Sequence, residues 1–484
     1  MSMKSQELWE HQKLALRYAL TSFETEGGYG LFMDMGTGKT RTAIEICRQV
    51  YNKEGKRLTT LIVSPLITLR NWKAEFLKFS KATEQDIVIL DKSTKSKIKT
   101  LQEINTYGRI FITNYNGIIK KDFLEELLKL NPAVTIFDES HRAKNPRSQT
   151  TQACMRLTKQ SRYTLNLSGT PILNSKLDIF SQMYLLDKGK RFGDNFFRFQ
   201  RQYFYDKNAS MPSHRHFPDW RENPNRSEEL KEKINSICFS IKKQECITLP
   251  PFVVKDVLIG MSPEQEKAYS EMEETFISFL SSSECTAQLA VVKALRLQQI
   301  VSGHLPLDNG SMHNFDNTPR EQALEEILSD ITPQHKVLVW ARFVENYKTI
   351  RNVCAKLKIP YVEIHGGISK DNKFKNMDVF NADDSIRVCI GNQSSGGIGV
   401  NLTAASYSIY YSRDFSLEAD LQSEARNYRA GSDIHEKITR INLITQDTID
   451  ELITKSLANK IKISESIFKQ YAYKKRKKEN PWAK

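Results

Sequence analysis

Six apolar runs of strand length recur over residues 1 to about 188: Leu31 to Asp34, Leu61 to Ser64, Ile87 to Leu90, Ile110 to Thr113, Val134 to Phe137 and Thr164 to Leu167. Helix-length amphipathic stretches separate them, and this alternation limits the fold more than any other feature. Strands apolar on both faces and joined by helical crossovers predict a parallel sheet covered on both sides. In such sheets ligands gather outside the carboxyl ends of the strands. The residues richest in chemistry fall there: Met33 to Thr40 after the first run, Asp138-Glu139 after the fifth, and Ser168-Gly169-Thr170-Pro171 after the sixth. The alternation returns after residue 330, in Val337 to Trp340, Tyr361 to Ile364, Val388 to Ile390, Ser408 to Tyr411 and Ile438 to Leu443, so a second α/β lobe is expected.

Met33-Asp34-Met35-Gly36-Thr37-Gly38-Lys39-Thr40 joins an apolar run to a helix-like stretch. In a nucleotide-binding loop, glycines let backbone N–H groups curl around phosphate oxygens, the lysine neutralises charge, and the hydroxyl ligates Mg²⁺. The following helix adds its positive end. Met33 stands where the full pattern has its first Gly, so an ordinary turn competes for this stretch taken alone. Asp138-Glu139-Ser140-His141 removes most of that competition. A carboxylate ending a buried strand is costly unless it meets a cation, and Asp138 opposite Thr40 suits Mg²⁺, with Glu139 polarising an attacking water.

From residue 189 to 330 the pattern changes. Phe192, Phe196, Phe197, Phe199, Tyr203, Phe204 and Tyr205 are interleaved with Arg198 and Arg201. They either form a base-stacking surface or the core of a helical insertion, and their helical spacing favours the core. His214 and His216 are too few for a metal site. Residues 264 to 300 read as helical, and 303 to 320, with Gly303, Pro306, Gly310 and Pro319, read as an inter-lobe linker. The second lobe lacks a phosphate loop but carries Gly396 to Leu402 and Gln422 to Gly431, where Arg426 and Arg429 would share a helix face. Two such guanidiniums could complete another lobe's site by stabilising charge on a γ-phosphate; an exposed basic helix paired with Glu424 is the competing reading.

The net charge of +14 favours a polyanionic partner. No run approaches the length needed to span a bilayer, and no signal peptide is evident. The expectation is an intracellular protein of the cytoplasm or nucleoid, the host cytoplasm if phage-encoded, without a membrane partner. The seven scattered cysteines suit reduced thiols.

Together these stretches resemble the superfamily II helicases and, within them, the Swi/Snf-like DNA translocases. Leu8 to Gln12 is similar to the glutamine motif, Met33 to Thr40 to the family's phosphate loop, and Leu61 to Leu66 with Asn71-Trp72 to motif Ia. Ile112 to Tyr115 resembles motif Ib, Asp138 to His141 the DExH box, and Leu167 to Pro171 motif III. Val337 to Phe343, Gly396 to Thr403 and Gln422 to Gly431 resemble motifs IV, V and VI. This sequence departs from the family's pattern at Ser140, Ser394, Ser432 and Lys242-Lys243. The resemblance implies an α/β fold of two RecA-like parallel-sheet lobes with a helical insertion between them. The expected divisions are 1–188 for lobe 1, 189–320 for the insertion and linker with 252–260 returning to lobe 1, 321–465 for lobe 2, and 466–484 for a basic tail. No room is expected for a chromatin-reading module, zinc finger or nuclease.

The resemblance further implies a DNA-dependent ATPase with ATP and Mg²⁺ as cofactors. Gln12 would read adenine; Gly36, Thr37, Gly38, Lys39, Thr40 and Gln422 would contribute to nucleotide binding; Thr40 and Asp138 would hold the metal. Lys39, Asp138, Glu139, Arg426 and Arg429 would carry hydrolysis. Ser64, Thr68, Asn114, Tyr115, Asn392 and Thr403 would grip the DNA backbone, largely without regard to sequence, while His141, Ser168 and Thr170 couple grip to nucleotide state. The expected activity is translocation that remodels or unwinds forks and junctions. The alternatives are displacement of DNA-bound proteins such as RNA polymerase, an RNA helicase, and a non-catalytic ATP-gated scaffold. A strand-separating wedge near 192 to 216 would use Phe196 and Tyr203.

Overall fold

The computed structural model describes residues 7–66, 68–169, 171, 176–211, 218–279, 287–307, 309–394 and 401–459. Two compact units meet in sequence between Ile247 and Thr248. The first is built on strands β1 (Gly28–Met33), β2 (Thr60–Ser64), β3 (Ile87–Leu90), β4 (Ile110–Asn114), β5 (Val134–Asp138) and β6 (Tyr163–Leu167). Each of the six sequence-predicted runs is a strand within a residue or a few of its expected bounds. Insertion residues supply a short hairpin, β7 (Phe204–Asp206) with β8 (Trp220–Glu222), and then β9 (Cys238–Ile241). The main sheet has the order β3-β4-β2-β5-β6-β1-β9, with each neighbouring pair parallel. Leu31, Ile62, Ile112, Ile136 and Leu165 at its centre are fully buried, each contributing about 1.5–3 kcal/mol relative to exposure.

In the second unit the strands are β10 (Phe252–Ile259), the hairpin β11 (His304–Pro306) and β12 (Met312–Asn314), β13 (Lys336–Trp340), β14 (Tyr361–Ile364), β15 (Val388–Gly391), β16 (Ala405–Tyr410) and β17 (Ile438–Thr445). Its six-stranded parallel sheet runs β10-β17-β16-β13-β15-β14. Both units are therefore RecA-like α/β lobes.

Three expectations are corrected. Residues 252–260 do not return to the first lobe: β10 pairs with β17 along its whole length, from Phe252 beside Ile438 to Ile259 beside Thr445, and Asn442 donates to Asp256 at 2.7 Å. The strand that does return is β9, parallel to β1. Residues 303–320 are not a linker but part of the second unit. Gly310 lies in the turn of a hairpin, Pro319 opens the helix Pro319–Ile331 behind the Thr318 cap, and His304, Phe315, Thr318 and Arg320 are buried. Finally, the helix Leu417–Glu424 stops before Arg426. The chain turns away because the Arg426 carbonyl accepts from Leu402 N–H and the Asn427 side chain donates to the Ala405 carbonyl.

Most of the aromatic run of the insertion is a core, as its spacing favoured, while Phe197 and Tyr205 are exposed. Phe199 and Tyr203 of the helix Phe196–Tyr203 are buried, and rings of Phe180, Phe192, Phe199 and Tyr203 meet at 4.9–5.5 Å. Tyr203 is thus no exposed wedge, and its hydroxyl donates to Glu229 at 2.8 Å. His214, His216, Thr170, residues 395–400 of the motif V stretch and the basic tail lie outside the described residues. Among the described residues no helix is long and apolar enough to cross a membrane, and no cluster of three metal-ligating side chains occurs.

Candidate nucleotide and coupling site

The loop after β1 takes its shape from two glycines. Gly36 and Gly38 have φ of +84° and +83°, a left-handed region that strains any residue with a Cβ. Thr37 between them is fully buried, its hydroxyl donating to the Asp34 carbonyl at 2.7 Å. Lys39, which opens the helix Lys39–Lys53, donates to the carbonyls of Met33 at 2.7 Å and Asp34 at 3.0 Å. Its ammonium is thereby folded back over the loop. Thr40 follows in the first turn of that helix and is half-buried.

A second segment clamps this loop. The helix Glu10–Thr25 begins beside it, and His11 Nε2–H donates to the Thr37 carbonyl at 2.9 Å. Gln12 Nε2 donates to the Gly38 carbonyl at 3.3 Å, while its Oε1 accepts from Trp9 N–H at 2.9 Å. Gln12 is buried, and both ends of its carboxamide serve the loop and its own helix cap. A Cβ on Gly38 would stand 2.1 Å from Gln12 Nε2.

Asp138 ends β5. Its Oδ2 accepts from the Ser64 hydroxyl and from Trp72 Nε1–H, each at 2.9 Å, and the Tyr115 hydroxyl donates to its backbone carbonyl at 2.8 Å. Burial pushes the Tyr115 phenol well above its ordinary pKa, so it remains a neutral donor. Ser64 also bonds the Thr68 hydroxyl, and Asn114 caps the turn at Gly117 N–H at 2.7 Å. Ser64 and Thr68 thus act together on the Asp138 side, and the Ser64 side chain has no exposed surface.

Glu139 adopts φ +53°, a conformation costing a non-glycine residue about 1–2 kcal/mol. Beyond it His141, nearly fully buried, sets Nδ1 3.1 Å from the Ser168 hydroxyl and 3.4 Å from Glu139 Oε2. Ser140 donates to Gln182 at 3.0 Å, and Gln182 donates to the Pro171 carbonyl at 2.6 Å. Closing the circle, a Cβ on Gly169 would lie 3.0 Å from Met35 Cγ and 3.5 Å from Lys39 Nζ. The strand ends of β1, β2, β4, β5 and β6 therefore gather Lys39, Ser64, Tyr115, Asp138, Glu139, His141 and Ser168 at one sheet edge.

In the second unit Gln422 donates to Glu418 at 2.9 Å along its helix. Arg426 is buried and Arg429 half-buried, both in the turns that follow. Asn392 donates to the Arg342 carbonyl at 3.2 Å and the Tyr347 hydroxyl at 3.0 Å, and the Thr403 carbonyl accepts from His435 Nε2–H at 2.7 Å. Beneath this segment lies a buried ion cluster that no spacing in the sequence announces. Asp420 Oδ1 accepts from Arg413 and Arg440, each at 2.9 Å, and from Gln393 at 3.2 Å, while Arg440 stacks 3.9 Å from the Tyr410 ring centre. Burial alone would raise the Asp420 carboxyl; the Arg413 and Arg440 guanidiniums overcome it and hold the group below its ordinary pKa. Gln182, Arg413, Asp420 and Arg440 were not legible as site residues, while His11 and Trp72 fell inside the glutamine motif and motif Ia but were assigned no role there. Of the four, only Arg440, a charge inside the apolar run Ile438 to Leu443, carried a signal that could have been followed.

Residues 11–307 match the SNF2-related domain, and residues 319–431 match the helicase conserved C-terminal domain. An uncharacterized ATP-dependent helicase of Mycoplasma genitalium is 24% identical over 453 residues, which is 92% of this chain and 41% of that protein. The ISWI chromatin-remodeling complex ATPase ISW1 of Saccharomyces cerevisiae is 23% identical over 476 residues, 92% of this chain and 39% of that protein. The chain thus spans about two fifths of the length of these curated relatives. The solved SWI2/SNF2 ATPase core of Sulfolobus solfataricus in complex with dsDNA is 24% identical, with a TM-score of 0.44 over 97% of this chain and 95% of that one. With the SNF2-related match covering more than half of its residues and the helicase C-terminal match following it, this chain belongs to the SNF2-related family.

Proposed function

We propose that the chain is an ATP-driven DNA translocase whose hydrolysis is set by the edge of the first sheet. The observation that carries this reading is the joint placement of the phosphate loop, the Asp138-Glu139 pair and the His141–Ser168 contact at the ends of neighbouring strands. The residues fit ATP with Mg²⁺: two left-handed glycines put no side chain at their own positions in the loop, the helix Lys39–Lys53 opens directly behind it, and Lys39 stands over it. Thr40 and Asp138 would hold the metal, which when bound neutralises phosphate charge.

In this reading Lys39 leaves its carbonyl partners for the phosphates. Ser64 and Trp72 fix the Asp138 carboxylate in one orientation, so no reorganisation is needed when a ligand arrives. Glu139 orients water, and Arg426 and Arg429 supply positive charge for the transition state. His141 touches both Glu139 and Ser168, which supports a coupling role between the water-orienting acid and the segment that follows β6. The relatives' names, an ATP-dependent helicase and a chromatin-remodeling ATPase, favour DNA as the track, and the net charge of +14 suits a phosphate backbone. Gripping is by backbone contacts, with Thr68, Asn114, Asn392 and Thr403 as candidate contacts. Among DNA forms we favour forks and junctions.

The test is ATP hydrolysis by wild type and Glu139→Gln with no nucleic acid, single-stranded DNA, duplex, four-way junction and RNA in parallel. Stimulation by DNA that vanishes in the variant is the expected result. Strongest stimulation by the junction supports the branched-DNA preference. Stimulation by RNA alone, or by nothing, overturns the reading.

A further inference from the structure

The insertion helix Phe196–Tyr203 buries one face and leaves the other unused by the proposed cycle. Phe199, Gln200 and Tyr203 point into the core, so the helix is held firmly. The outer face carries Phe197, 47% exposed, with Arg198 and Arg201; Tyr205, 48% exposed, follows the helix directly. Phe197 and Arg201 are neighbours at i,i+4, and Arg198 and Arg201 at i,i+3. Arg147 reaches this face from the acid-bearing segment, its guanidinium 4.9 Å from the Phe197 ring centre.

Arg147, Arg198 and Arg201 meet no carboxylate within ion-pairing distance among the described residues, in a chain where exposed basic side chains such as Lys53, Arg162 and Arg226 do. A half-exposed aromatic ring held against an arginine and flanked by two more cations is the chemistry of a polyanion whose bases have open faces. Duplex DNA offers phosphates but stacks its bases on one another, so the ring would find no partner there.

We propose that the outer face of the helix Phe196–Tyr203, together with Arg147, binds an unpaired DNA strand, with Arg198 and Arg201 on its phosphates and Phe197 stacked on a base. The inference rests on the DNA-translocase reading. It adds a strand contact outside the nucleotide edge, tied to that edge through the short segment from Asp138 to Arg147.

The experiment measures affinity of the full chain for a labelled oligothymidylate and for a blunt duplex by fluorescence anisotropy across a salt series. Phe197→Ala is expected to weaken oligothymidylate binding about 5- to 150-fold and to leave duplex binding and nucleic-acid-free ATP hydrolysis unchanged. Phe197→Trp, which keeps a stacking surface, is expected to restore it. Arg198→Ala combined with Arg201→Ala should flatten the slope of log affinity against log salt by about 1.4. Circular dichroism checks that the variants fold, and the two surface arginine substitutions keep the test decisive if Phe197→Ala does not. Unchanged oligothymidylate affinity and slope in the variants overturn the inference, as does an equal loss on the duplex. Wild type that binds and is stimulated by duplex while the variants bind oligothymidylate normally removes this site alone; wild type with no DNA binding and no stimulation removes the translocase reading beneath it.

Discussion

Gly38→Ala attacks the proposed phosphate loop at its tightest point, and the structure gives two separable costs. The first is the backbone: φ of +83° costs an alanine about 1–2 kcal/mol. The second is steric, because the new Cβ would stand 2.1 Å from Gln12 Nε2. Gln12 must swing away and give up its bonds to the Gly38 carbonyl and Trp9 N–H, worth together about 2 kcal/mol. The loop conformation is then disfavoured by roughly 3–4 kcal/mol in total. In a Gln12→Ala background the steric cost is already gone, so the same substitution should cost only the backbone's share. A double-mutant cycle on dissociation constants for a fluorescent ATP analogue should therefore show a coupling of about 2 kcal/mol, roughly 30-fold. Purely additive losses would mean that the glutamine does not brace the loop.

Two other outcomes follow from the same geometry. Ser64→Ala removes one of the two donors on Asp138 Oδ2; a bond to a charged group is worth about 1.5–3 kcal/mol, so stimulated kcat should fall about 10-fold or more while DNA affinity and its salt slope stay put, and a loss of DNA affinity would show instead that the hydroxyl faces the track. His304 is buried beside the Phe343 ring, and desolvation lowers its pKa from 6.5 to about 4. The unfolded chain then takes up the proton first, so stability present above pH 6.5 is lost as pH falls toward 4, by at most about 3 kcal/mol. Urea unfolding at both ends of that window should show a smaller pH dependence in His304→Gln than in wild type.

Much of the fold was legible because it is written locally. Strands β1, β2, β4 and β5 are mostly apolar on both faces, and a covered parallel sheet satisfies such runs. The candidate phosphate loop and acid pair stood out for a related reason: glycines, a lysine and carboxylates gather at strand ends that such sheets use for ligands. The family resemblance read from these motifs agrees with the matched domains. By contrast, β9 is four residues in a charged neighbourhood, and β10 could have extended either sheet, because an edge accepts any strand of suitable register. Glycines and prolines between 303 and 320 signalled a break in regular structure, and a hairpin turn breaks it as surely as a linker.

Read locally, the chain specified two parallel α/β lobes, most of their strands and a set of candidate nucleotide-handling residues. Which donors those residues meet depends on how the folded chain brings distant segments together. Trp72 and Ser64 reach Asp138 from 66 and 74 residues away, and His141 finds Ser168 across 27. Local periodicity records which side chains seek burial, but a hydrogen bond across a sheet edge depends on crossover lengths and strand order. Those quantities exist only once the chain has folded, and they turn a set of plausible residues into one arranged site.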